Sequence, residues 1–254
     1  FGLGFILGPV IGGVLGQYGP RIPFFAAAGL CLLNVVYGYF VIPESLKPEL
    51  RRPFSWKNAN PIGAFKHIKS YPNIIPLIVC IFLINIAANA VQSTWSYYTM
   101  EKFSWDERMV GLSLGFVGTL LMIVQAGLIR IAIPKLGLQK AILTGLILYV
   151  IAYSLFGFAS ASWMMYAISI FFVSAGIAGP ALQSYISDRI PQNEQGQIQG
   201  GITSVISLTS IIGPLLMTSL FAYFSRKDVH PYFPGAPFIL SAALAITALI
   251  IACV

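Results

Sequence analysis

The chain is dominated by apolar runs of about twenty residues, the length at which a helix crosses the hydrocarbon core of a bilayer. Eight can be placed, at 1–17, 24–42, 74–99, 110–133, 141–159, 164–186, 198–224 and 238–254. The segments between them hold nearly all the charges and many of the prolines. Lipid offers no water to pair with backbone N–H and C=O groups, so such runs must be helical. Charged residues make up 9% of the chain, against roughly 25% in soluble domains. The expected fold class is therefore an all-α membrane protein with about eight transmembrane helices.

The net charge of +7 would suit a nucleic-acid partner only if Lys and Arg formed an accessible patch on a soluble face. Here they cluster at the ends of apolar runs and read as topology signals, so no nucleic-acid partner is expected. The longest linker carries Lys47, Arg51, Arg52, Lys57, Lys66 and Lys69 and is placed in the cytoplasm. Counting turns from there puts ten cations inside and five outside. Within this linker the stretch from Asn60 to Lys69, with apolar residues at 62, 65 and 68, fits a short interfacial helix. Trp95, Tyr97, Tyr98, Trp163 and Tyr166 lie at outer span ends, where rings either anchor in the interface or pack between helices. Cys31, Cys80 and Cys253 lack any zinc or redox spacing and read as small hydrophobes. No metal site and no cofactor is expected.

In the first span Gly4, Gly8, Gly12 and Gly16 recur every fourth residue, cutting a groove that lets a neighbouring backbone approach. Pro9 removes a ladder hydrogen bond and can bend that helix. Gly8-Pro9 has a counterpart in Gly213-Pro214, six spans later, as parallel repeats in a transporter would give. Asn85, Asn89, Gln92 and Ser96 fall on one helix face, at i, i+4, i+7 and i+11. Amides facing lipid would stay unpaired, so this face meets other helices or water. Gln125 is alone and central in its span, and Gln183 with Ser204, Ser207 and Ser210 supplies a third polar wall. The runs at 141–159 and 238–254 are almost purely apolar and fit lipid-facing helices.

Gly8-Pro9-x-x-Gly12-Gly13, with Gly4 upstream, resembles the antiporter motif in the fifth helix of drug exporters of the major facilitator superfamily. Gln17-Tyr18-Gly19-Pro20-Arg21, Gly111-Leu112-Ser113-Leu114-Gly115, Pro180-Ala181-Leu182-Gln183 and Gln195 to Gly200 are similar to the tetracycline-exporter branch. The resemblance implies the C-terminal two-thirds of a twelve-helix fold, helices five to twelve. Residues 1–42 would be the last two helices of the N-terminal half, 43–73 a cytoplasmic linker, and 74–254 a six-helix C-terminal bundle. It also implies residence in the plasma (inner) membrane and export of amphipathic drug-like molecules in exchange for protons. The substrate pathway would be formed by Asn85, Asn89, Gln92, Gln125, Gln183, Ser204 and Ser207. Gly4, Gly8, Pro9, Gly12, Gly13, Gly213 and Pro214 would serve packing and gating, with Arg130, Lys135 and Asp188 at a cytoplasmic gate. Partners would be a small-molecule substrate, protons, the lipid bilayer and the first helices of the same protein.

Two departures stand out. Leu121 occupies the place of a histidine, and Tyr149 that of an aspartate, in the better-known tetracycline exporters. Every acidic residue, namely Glu44, Glu49, Glu101, Asp106, Glu107, Asp188, Glu194 and Asp228, lies in a linker or at a span end, although intramembrane ionisable groups are the usual proton carriers. Two other readings are a membrane-embedded enzyme acting on lipid-linked substrates, which Asp188 and Glu194 serve poorly without a histidine companion, and a non-transporting membrane scaffold or inactive fragment.

Overall fold

The computed structural model describes Gly8, residues 11–12, 14–16, 18–19, 21–43, 70–226, 228 and 230–253. Gly4, Pro9, Gly13 and the interfacial helix expected at 60–69 lie outside the described residues. Those described are helical between short turns: α1 (Ile22–Val41), α2 (Ile75–Phe103), α3 (Glu107–Ile123), α4 (Ile129–Leu136), α5 (Leu138–Phe158), α6 (Ser162–Ala175), α7 (Ala178–Ser187), α8 (Gln195–Phe224) and α9 (Ala236–Cys253). Pairs α3–α4 and α6–α7 are each one interrupted crossing, so seven helical units among the described residues are long and apolar enough to span a bilayer.

Helix boundaries follow local chemistry. The Asp106 carboxylate accepts the Met109 N–H at 2.8 Å and caps α3. The end of α2 turns through Ser104 in the left-handed region, φ 54°, where the Ser104 and Trp105 N–H groups return to Met100 and Thr99 carbonyls. That closure satisfies carbonyls the helix would otherwise leave open. Gly137 at φ 77° makes the sharp exit from α4.

Helices α2, α5, α8 and α9 form the packed middle, with α2 against α8 and α9, and α5 against α6, α7 and α9. One core cluster gathers Ile74, Cys80, Leu146, Leu182, Ile186 and Ile198 near the end where α2 begins. The other gathers Trp95, Tyr98, Tyr153, Phe156, Met165 and Phe238 toward its far end. The expectation that 141–159 and 238–254 are lipid-facing holds for one side only. Ile147, Ile151, Ile246 and Ile250 are exposed, while Leu146, Phe156, Phe238 and Ala245 are buried between helices. A purely apolar sequence cannot distinguish the two sides, because lipid and core accept the same side chains.

Small residues set the closest approaches. A Cβ placed on Gly145 would lie 2.7 Å from the Ala178 Cβ, and one on Gly235 would lie 2.2 Å from the Gly157 carbonyl oxygen. The aromatic rings divide. Trp95 is buried, donating from Nε1 to Ser113 Oγ at 2.9 Å, and Tyr98 donates to the Phe156 carbonyl at 2.6 Å. Tyr97 and Trp163 are exposed, as interfacial anchors would be. Helix α1 has no buried residue, and added Cβ atoms on Gly8, Gly12 and Gly16 meet nothing within 4 Å.

Candidate functional site

Two candidate walls are built on neighbouring helix pairs, one carrying several polar side chains and one apolar around a single glutamine. The first lies along α2 and α8. The Asn89 amide, 7% exposed, donates to the Asn85 carbonyl at 2.8 Å and to the Thr209 carbonyl of α8 at 3.5 Å. Its partner surface is Gly213, whose missing side chain makes the space: a Cβ there would lie 2.4 Å from Asn89 Nδ2. Asn85 donates to the Ile81 carbonyl at 2.8 Å and is half-buried, while Gln92 is exposed one turn beyond Asn89. Ser204 is half-buried, Ser207 and Ser210 are exposed, and Ser204 and Ser210 bond back to carbonyls of their own helix. Pro214 lies inside α8 directly after the Gly213 contact, so the helix lacks one ladder bond beside the Asn89 junction.

The second wall lies where α3–α4 meets α6–α7. Between α3 and α4 the helix widens over Val124–Leu128, and the Ile129 N–H reaches the Val124 carbonyl, five residues back. Such a π segment inserts an extra residue into the turn and turns side chains out of their helical register. Opposite it, α6 stops at Ala175 and α7 resumes at Ala178. The Gly176 and Ile177 N–H groups bond three residues back, and Pro180 in the first turn of α7 has no N–H to add. Gln125 lies in the cleft between these irregularities, a space of about 360 Å³ lined also by Leu121, Val124, Ile129, Val173, Gly176 and Pro180. Leu121 thus stands at this cleft, one helical turn before Gln125. Gln183 is exposed on α7, one turn after Pro180.

Residue spacing put Asn85, Asn89 and Gln92 on one face of α2, and of these Asn89 bonds to α8. It could not foreshadow the π segment, since only Gly127, a poor helix former, hints at a weak place there. Arg130, Lys135 and Asp188 are each exposed, and no ion pair joins them among the described residues. Tyr149 stacks on Tyr153 with ring centroids 5.6 Å apart and 14° between planes. This pair packs in the helix core against Phe172.

At the far end, charged groups sit in turns. Arg226 and Asp228 pair at 2.6 Å, and hydrogen bonding from the guanidinium holds the Asp228 carboxyl below its ordinary range. Tyr232 donates to Glu101 at 2.8 Å. Burial first, then the hydrogen bond and charge of Glu101, push the Tyr232 hydroxyl up.

Comparison with known proteins agrees with this architecture. The family model for the Major Facilitator Superfamily matches residues 1–208 and again 131–254. The chain is 36% identical over 222 residues to the class C tetracycline resistance protein of Escherichia coli, covering 87% of this chain and 56% of that protein. It is 31% identical over 256 residues to the class E protein of the same organism, covering 99% and 61%. The chain therefore spans little more than half the length of these relatives. The crystal structure of the human organic anion transporter MFSD10 (TETRAN) superposes with a TM-score of 0.83 at 20% identity, covering 99% of this chain and 61% of that one, a likeness of fold. On its family match and its relatives, the chain belongs to the Major Facilitator Superfamily.

Proposed function

We propose that this chain belongs to a secondary exporter of amphipathic drug-like molecules and that export is driven by proton exchange. The carrying observation is the pair of walls, one polar and one apolar around Gln125. One interrupted helix presents Gln125 at a π segment facing a second helix broken at Gly176, and α2 and α8 present Gln92, Ser204 and Ser207. Discontinuous helices whose irregular backbone lines a cavity are how transporters build a midplane site. The names of the tetracycline resistance proteins support a drug-like substrate.

In this reading residues 74–254 are the C-terminal bundle, 1–42 the last two helices of the other half, and 43–73 the linker between them. Gln92, Gln125 and Gln183 offer neutral donors and acceptors that orient a polar substrate edge, and the apolar residues beside them take its rings. Asn89 is fixed by its bonds to Asn85 and Thr209 and positions the α2–α8 seam. The glycine-proline motif within residues 4–13 serves helix packing in the other half, while Arg130, Lys135 and Asp188 stand at the cytoplasmic rim.

The test uses the full-length gene in inside-out membrane vesicles. Addition of an energy source should drive accumulation of tetracycline or a fluorescent amphipathic cation, and a protonophore should abolish it. Accumulation unchanged by protonophore would refute proton exchange, and no accumulation of any such compound would refute drug export.

A further inference from the structure

Away from both walls, a cleft of about 650 Å³ opens where α2 and α5 begin and α7 and α9 end. Four helix ends meeting in one cleft place it at the edge of the membrane, and the excess of Lys and Arg in the linker 43–73, which assigns that linker to the cytoplasm, makes this the inner edge. Its lining is graded. Leu77 and Ile142 form a buried apolar floor, Ile250 continues it outward with 61% exposure, and Asn73, Gln139 and Arg189 form a polar rim. The Arg189 guanidinium lies over the Tyr185 ring, 3.4 Å from its centroid, and gives Nη1 to the Tyr185 carbonyl at 3.1 Å. Stacking holds the planar group at the rim, and that bond uses one of its five N–H donors. No carboxylate pairs with Arg189 among the described residues.

A cation without a carboxylate partner, two amides and an apolar floor running toward lipid match one occupant that is always present there. We infer that this cleft binds an anionic phospholipid of the inner leaflet. Its phosphate is held by Arg189 with Gln139 and Asn73, and an acyl chain lies along Leu77, Ile142 and Ile250. Basic pockets between helices on the cytoplasmic side recognise lipid headgroups in this way. The inference is independent of the exporter reading, because none of these residues belongs to either wall. The bound lipid ties together helices α2, α5, α7 and α9 at their inner ends.

The experiment measures the melting temperature of the purified full-length protein in neutral detergent during titration with short-chain phosphatidylglycerol. Phosphatidylcholine and inorganic phosphate serve as the comparison arms. Phosphatidylglycerol should raise the melting temperature saturably, phosphatidylcholine less, and inorganic phosphate not at all. Arg189→Gln should raise the half-saturating concentration about fivefold, the weight of one interfacial cation. Ile250→Trp, which fills the floor and leaves Arg189 in place, should weaken the response too, and Arg226→Gln at the opposite end should leave it unchanged. Equal responses to phosphatidylglycerol and phosphatidylcholine, a full response to inorganic phosphate alone, or an Arg189→Gln titration matching the parent would each overturn the assignment. If Arg189→Gln fails to fold, the Ile250→Trp titration decides: an unaltered midpoint refutes the lipid site.

Discussion

The side-chain amide of Asn89 occupies the space that Gly213 leaves empty on the facing helix, so closely that a single added methyl would lie 2.4 Å from its nitrogen. The pair joins α2 to α8 at the point where Pro214 has removed a ladder bond. Gly213 is therefore required by the neighbour's shape rather than by its own helical backbone.

Gly213→Ala should destabilise the protein by about 1–3 kcal/mol, the usual cost of overpacking a fitted contact. Asn89→Ala in the same chain should recover much of the loss, because it vacates the occupied space. Thermal unfolding of the two single variants and the double variant checks this. Additive losses would show that the two residues do not share the seam.

Gln125→Ala should lower export about two- to tenfold, the worth of one hydrogen bond to substrate, with membrane insertion unchanged. Efflux assays normalised to the amount of protein in the membrane make the comparison. Equal transport would remove Gln125 from the pathway.

The amides along α2 illustrate what the sequence makes legible. Asn85, Asn89 and Gln92 share a face by spacing alone, and that face does meet α8, yet spacing could not tell which amide is buried between helices and which stays open. Asn89 proves to be the buried one because a glycine happens to lie across from it. The runs at 141–159 and 238–254 gave no warning of their buried sides, since apolar residues suit both lipid and core. The π segment at Val124–Leu128 is a hydrogen-bond shift of one residue, below the resolution of any periodicity. Trp95 and Tyr97, two positions apart at the same span end, divide into core and surface only once the partner Ser113 is placed.

Ser113→Ala should leave the buried Trp95 indole N–H without an acceptor and cost about 1–3 kcal/mol. Combining it with Trp95→Phe should cost less than the indole's loss and the serine's loss taken separately, because both polar partners then vanish together. Melting temperatures of the three variants measure the coupling, and strict additivity would refute the bond.

Tyr232 gives a pH prediction with a definite sign. Its hydroxyl is held above the ordinary value of 10.0 by burial and by Glu101, so the folded state favours the protonated form. The stabilisation is complete below about pH 10 and is lost as pH rises through the folded-state value. Tyr232→Phe should lower the melting temperature by a constant amount from pH 6 to 9, and the difference should shrink at more alkaline pH. A difference independent of pH throughout would disprove the linkage.

At the ends remote from the lipid cleft, α5 meets the start of α9 where the Gly157 carbonyl lies against Gly235 and the Ile239 side chain lies against Gly157. So close an approach leaves little room to rotate or slide, so the two helices move as one stave. Relative motion during a transport cycle is then left to seams padded by side chains, such as the cleft around Gln125, and any bulk added at either glycine would prise the stave apart rather than merely stiffen it.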